Sequence, residues 1–134
     1  MAPPLFATKP LLASRMWPSA DAPLPLLQRL QVALAATEDL SAYDLHPEAI
    51  VHTGARILWL MAAVAAQVDA LDTTIAGTLA QAWQPESTAL LNAALILCAD
   101  HELNASSFTA RVVASVEANP YAVVLSGAGG PGRF

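Results

Sequence analysis

The sequence predicts an all-α protein. Apolar residues recur three and four positions apart, as at Leu27, Leu30 and Leu34, which is the spacing of one helix face. Proline followed by glutamate marks two helix starts, because proline lacks the N–H that is unpaired in a first turn and glutamate complements the helix dipole. No segment alternates with the period of two that indicates a strand. We therefore expect a multi-helix fold with a buried central helix.

Start and stop signals divide the chain into six helical segments. The fourth keeps almost no polar face after Asn92, so we expect it to be buried on nearly all sides. The sixth has the sequence YAVVLS, and we expect it to end there and to be followed by irregular structure over GAGGPGRF. In chain order the segments are about three turns from Leu26, a long helix from Pro47 to about Val68, a helix capped by Asp72 or Thr73 and ending near Trp83, a helix from Pro85 to near Cys98, a helix capped by Asn104, and a helix capped and started by Asn119 and Pro120.

The chain is expected to form one domain with irregular ends. Residues 1–25 contain six of the ten prolines, which predicts an arm and not a helix. Residues 26–130 are the helical segment, and residues 131–134 an irregular tail.

Composition indicates a surface meant for partial burial. Hydrophobic residues make up 55% of the chain, charged residues 13%, and the mean hydropathy is +0.47. This excess favours faces that bury against a second subunit or a missing half.

The net charge and the length of the longest apolar run argue against several classes of partner. The net charge of −5 opposes nucleic acid binding. The longest apolar run, ILWLMAAVAA at residues 57–66, is shorter than the roughly 20 residues of a bilayer span, so we expect a buried helix and no membrane partner. A single cysteine excludes an internal disulfide and agrees with a cytoplasmic location.

The stretch CADHELNASSFTARVV concentrates polar chemistry between two predicted helices. From the residues alone, three interpretations remain open. Asp100 and His101 fit hydrogen bonding to backbone groups at a helix junction. Cys98 and His101 have a spacing that suits two metal ligands, although zinc needs three or four. His101 is also near enough in sequence to activate Cys98, but a thiol ending an apolar helix is usually a small packed hydrophobe, and we expect that here, without a metal.

The longer run LNAALILCADHELNASSFTARVVASVEANPYAVVLSGAGG, residues 91–130, resembles the central part of the citrate synthase and 2-methylcitrate synthase family. ADHELNAS followed by ARVVAS and NPYA is a specific order, and the chain from Pro47 fits the preceding family helices more loosely. The resemblance implies an all-helical homodimer, an acyltransferase of the tricarboxylic acid cycle that condenses acetyl-CoA with oxaloacetate to give citrate. It implies acetyl-CoA as a substrate and no resident cofactor.

The resemblance also implies roles for the loop residues. His101 matches the catalytic and substrate-binding histidine that polarises the oxaloacetate carbonyl by donating a hydrogen bond. Asn104 is similar to an asparagine that lines the same pocket, and it can cap a helix at the same time. Asp100 and Glu102 are expected to orient the loop.

Two departures from the family pattern change the expected activity. Many members have a histidine where this chain has Cys98, and the family's later Gly-Pro-x-His-Gly loop is replaced by GAGGPGRF, with no histidine after His101. The family's aspartate base and carboxylate-clamping arginines would lie further on. We therefore expect a C-terminally shortened polypeptide, truncated or frameshifted, that is inactive alone. The alternative is a non-catalytic helical interaction module that associates with itself or with a longer homologue.

Overall fold

The computed structural model describes residues 24–68, 74–99 and 104–129, and within these ranges the chain is helical without β-strands. The predicted all-α fold is confirmed. The predicted arm and tail fall almost entirely outside the described residues and stay predictions. The helices are α1 (Leu26–Thr37), α2 (Pro47–Ala66), α3 (Ile75–Trp83), α4 (Thr88–Cys98), α5 (Ala105–Ala114) and α6 (Pro120–Gly129), with 3₁₀ helices at Leu40–Tyr43 and Pro85–Ser87.

The core lies where α2 meets α1 and α6. Ile57, Leu60 and Val64 of α2 are buried against Leu34 of α1 and Tyr121 of α6. By length and composition alone α2 is also long and apolar enough to cross a membrane, with 20 residues and a mean hydropathy of 1.6 over an 18-residue window. Its buried side packs against α1, α3 and α6, so in this fold its apolar residues supply the hydrophobic core.

Local signals explain where the helices begin and end. Pro47 is the first residue of α2, as predicted. The helix ends at Ala66, and the C-cap Gln67 has a φ of 58°, which allows the Val68 N–H to reach the Ala63 carbonyl at 3.1 Å. The cap of α3 is Thr74, whose hydroxyl accepts the Gly77 N–H at 3.1 Å.

The predicted caps Asp72 and Thr73 were therefore wrong, and both lie outside the described residues. Thr74 is the residue directly before the first helical residue, which is the position from which a side-chain oxygen reaches the third amide of a helix.

The prediction that the helix ending at Cys98 is buried is also wrong for the single chain. No residue of α4 is buried, and Leu90, Ile96 and Leu97 are 72%, 66% and 77% exposed. Among the described helices, α4 packs mainly against α3. Its apolar surface therefore remains uncovered on most sides.

The last helix is longer than predicted. Instead of ending at Ser126, α6 continues to Gly129. Near its end, the Gln31 side-chain amide donates a hydrogen bond to the Ala128 carbonyl at 3.2 Å. Helix α5 packs closely along α6, and this tertiary packing offsets the low helix propensity of the glycines.

Candidate functional site

The predicted site falls at the connection between α4 and α5. Residues 100–103 lie outside the described residues, so the roles predicted for Asp100, His101 and Glu102 stay predictions. The structure describes the two ends of this connection: Cys98 is the last residue of α4, and Asn104 precedes the first residue of α5.

Asn104 is the N-cap of α5, as predicted. Its Oδ1 accepts the Ser107 N–H at 2.8 Å, and its backbone carbonyl accepts the Phe108 N–H at 2.9 Å. The residue itself has an extended backbone and is exposed. One side-chain oxygen thus satisfies an amide that the first turn of a helix would otherwise leave unpaired.

Helix α5 is held against α6 close to this cap. A Cβ placed on Gly127 would lie 3.4 Å from the Ser106 carbonyl oxygen and 3.5 Å from the Ala110 Cβ. The absence of a side chain at Gly127 allows the first turns of α5 to approach α6. Since α6 also packs against α1 and α2, the core supports the helix that carries Asn104.

Cys98 has a different environment from the one predicted. The thiol belongs to an exposed residue and is not packed as a small hydrophobe, because α4 is uncovered at this end. Over the described ranges no group of three or more His, Cys, Asp or Glu side chains is placed to hold a metal ion. The Cys98 and His101 pairing lies partly outside those ranges and stays a hypothesis.

A polar cluster joins Arg56 of α2 to the 3₁₀ helix at Leu40–Tyr43 and the residue before it. Arg56 Nη2 lies 3.0 Å from Asp39 Oδ2, and Arg56 also donates to the Ser41 hydroxyl at 3.1 Å. The Ser41 hydroxyl and backbone N–H both donate to Asp39 Oδ1. The Ser41 hydrogen bond, followed by that of Arg56, lowers the pKa of Asp39 to about 2.

A second cluster, which the sequence did not predict, ties the chain before the 3₁₀ helix to the start of α6. Glu38 Oε1 accepts hydrogen bonds from the Tyr43 hydroxyl at 2.6 Å and from Asn119 Nδ2 at 3.0 Å. Asn119 Oδ1 accepts the Ala122 N–H at 3.0 Å, so this residue also caps α6 as predicted. The hydrogen bond to Glu38 raises the pKa of the Tyr43 hydroxyl.

A third polar contact lies on the surface. His46 Nδ1 is 2.7 Å from Asp44 Oδ1, and both side chains are exposed. The hydrogen bond from His46 lowers the pKa of the Asp44 carboxyl. These interactions organise the turn that leads into α2.

Comparison with known proteins identifies the family of this fold. The model of the family described as citrate synthase, C-terminal domain, matches residues 11–131, a range that includes all six helices and the connection between α4 and α5. Searches of curated proteins and of solved structures gave no match. The chain therefore belongs to the citrate synthase family.

Proposed function

We propose that this polypeptide is a citrate synthase-like acyltransferase chain that binds oxaloacetate at the connection between α4 and α5. The observation that carries the proposal is the family match over residues 11–131, which includes this connection and both flanking helices. In this assignment His101 contacts the keto oxygen, Asn104 lines the same pocket, and Asp100 and Glu102 orient the loop.

The proposed chemistry is the condensation of acetyl-CoA with oxaloacetate. A base removes a proton from the acetyl methyl group, the enolate carbon forms a bond to the keto carbon, and water then cleaves the thioester. A hydrogen bond from His101 to the keto oxygen would stabilise the negative charge that develops there during the attack.

We propose that a polypeptide of residues 1–134, taken by itself, binds the keto acid without turning it over. The three histidines of these 134 residues are His46, His52 and His101. No histidine follows His101, so these residues lack the second histidine that would hold the enol oxygen. Catalytic groups that act as a unit lose most of their effect when one is missing. We expect no release of free CoA from acetyl-CoA and oxaloacetate above the background rate.

Thermal unfolding of the purified chain with millimolar oxaloacetate tests the binding proposal. A ligand that binds only the folded chain raises its unfolding midpoint. We expect a raised midpoint for the wild-type chain and no rise for His101→Ala. His52→Ala is the matched control, because His52 is exposed on α2, and it should keep the rise. Equal midpoints with and without oxaloacetate in the wild-type chain would contradict the proposal.

A second candidate function is a non-catalytic module that associates with another copy of itself. The exposed apolar residues of α4 favour it, because exposing an apolar helix to water is unfavourable and burying it against a second copy lowers the free energy. We propose Leu97→Gln as the test, with Leu40→Gln as control because Leu40 is 91% exposed on the 3₁₀ helix. Sedimentation should show a dimer that Leu97→Gln alone dissociates, whereas a concentration-independent monomer would exclude this candidate.

A further inference from the structure

We infer that two copies of this chain pack α4 against α4 in antiparallel orientation, about a two-fold axis that passes between Ala93 and Ala94. This arrangement rests on the second candidate function, the self-association of the chain. It goes further by assigning the surface that is covered, the orientation of the two copies and the residues that meet.

Helix α4 has one side toward its own chain and one side toward water. Leu91 and Leu95 are the least exposed of its large apolar residues, as expected for the side that packs on α3. Leu90 and Leu97 are the most exposed, and Ala93 between them is exposed as well. Spacings of three and four residues place these last three side chains on one face of the helix. The face that needs a cover is therefore a continuous apolar row.

The row keeps its pattern when the direction of the helix is reversed. Leu90 precedes the midpoint between Ala93 and Ala94 by as many residues as Leu97 follows it. In an antiparallel pair, Leu90 therefore meets Leu97 of the second copy at both ends, and the alanines meet at the centre. Small side chains at the centre let two helices approach closely. Such a surface is self-complementary, which is what a two-fold interface between identical chains requires.

Charge favours a second copy as the occupant of this surface. Between Thr74 and Ala99 the only charged residue is Glu86, although the whole chain has a net charge of −5. Two identical surfaces bring like charges together, so a nearly uncharged face is the one that meets its own copy without repulsion. In the antiparallel pair the two Glu86 residues lie at opposite ends, more than about 20 Å apart along the helices. A parallel pair would place them side by side, so charge also selects the antiparallel orientation.

Charged substitutions at the axis test whether α4 meets its own copy. Ala93→Asp and Ala93→Lys each place two like charges at the centre of the contact. Each variant alone should therefore sediment as a monomer at a concentration where the wild type is a dimer. An equal mixture of the two variants should recover the dimer, because opposite charges then face each other. Val51→Asp is the matched control, since Val51 is an exposed apolar residue of α2, and it should remain a dimer.

Cysteine crosslinking tests the orientation. In a Cys98→Ser background, Leu90→Cys or Leu97→Cys alone places its two thiols about 10 Å apart along the antiparallel helices. This offset exceeds the Cα separation of about 7 Å that a disulfide allows, so neither variant alone should crosslink on oxidation, whereas their mixture should. Ala93→Cys should crosslink to its own copy. Crosslinking of each leucine variant alone and not of the mixture would show a parallel pair and overturn the assigned orientation.

The outcomes separate this contact from self-association in general. A wild-type chain that sediments as a monomer at every concentration would overturn both. A dimer that Ala93→Asp leaves intact, or in which Ala93→Cys does not crosslink, would overturn the α4 contact and leave self-association in place. The oxaloacetate-dependent rise of the unfolding midpoint is a separate measurement, so its absence would bear on the proposed keto-acid site and not on this contact.

Discussion

Placing valine at two helical glycines measures how tightly α5 is held against α6. Gly127 faces the Ser106 carbonyl and the Ala110 methyl at 3.4 and 3.5 Å from a built Cβ, whereas a Cβ on Gly54 in α2 would have nothing within 4 Å. An alanine methyl would therefore already be in contact at Gly127, and the two further methyl groups of valine would crowd this contact. We expect Gly127→Val to displace α5 or strain the contact.

The expected magnitudes separate packing from helix propensity. Replacing a helical glycine by valine gains about 0.4 kcal/mol at either position. At Gly127 overpacking costs about 1–3 kcal/mol, so the free energies of unfolding of the two variants should differ by about 2 kcal/mol. Urea unfolding followed by far-UV circular dichroism measures this difference.

Two comparisons show whether a loss of stability in Gly127→Val comes from the contact between α5 and α6. Gly127→Ala should be as stable as wild type or up to about 1 kcal/mol more stable, since alanine has the higher helix propensity and its methyl reaches only ordinary contact distance. If Gly127→Val and Gly54→Val proved equally stable, the close contact between α5 and α6 would have no energetic weight. The support that we assign to Asn104 would then be mistaken.

Three further perturbations test the core, the acid-sensitive cluster and one turn. Leu34→Ala should destabilise the fold by about 2–5 kcal/mol in urea unfolding, because Leu34 is fully buried and leaves a cavity. The folded pKa of Asp39, about 2, lies below the ordinary value of 3.8 for an aspartate, so its contribution to stability is present above pH 4 and is lost as the pH falls toward 2. Asp39 is 43% exposed, so solvent screening limits this loss to about 0.5–1 kcal/mol, and Asp39→Asn should abolish this part of the pH dependence of the midpoint. Glu117→Gly should raise the midpoint by about 2–4 °C, because a φ of 59° strains glutamate but not glycine; an unchanged midpoint would count against strain there.

Sequence reasoning succeeded where the deciding interaction is local. The start of α2 at Pro47 and the caps Asn104 and Asn119 depend on groups within three or four residues of each other. Backbone amides at a helix start need an acceptor nearby, and only a few residue types provide one. The same local logic missed Thr74 only by choosing a residue one or two positions too early.

Contacts between distant residues were not predictable from spacing. Glu38 and Asn119 are 81 positions apart, and Asp39 and Arg56 are 17 apart. Asp39 two residues before Ser41 is a turn signal that local reasoning provides, but nothing in the spacing indicates that Arg56 is the partner of Asp39. The fold alone selects the partners, because α2 and α6 bring these segments together.

The wrong prediction that α4 is buried shows what an apolar composition does and does not indicate. A helix that is apolar all round has a free-energy preference for being covered, but its sequence does not specify the surface that covers it. In the single chain α4 is exposed, and Leu97 and Cys98 next to the candidate loop face water. The two ends of the candidate site are consequently unequal: α5 rests on α6 and through it on the core, whereas α4 is supported chiefly by α3. Of the two helices that flank the proposed oxaloacetate site, α5 is thus the one that the core holds in place.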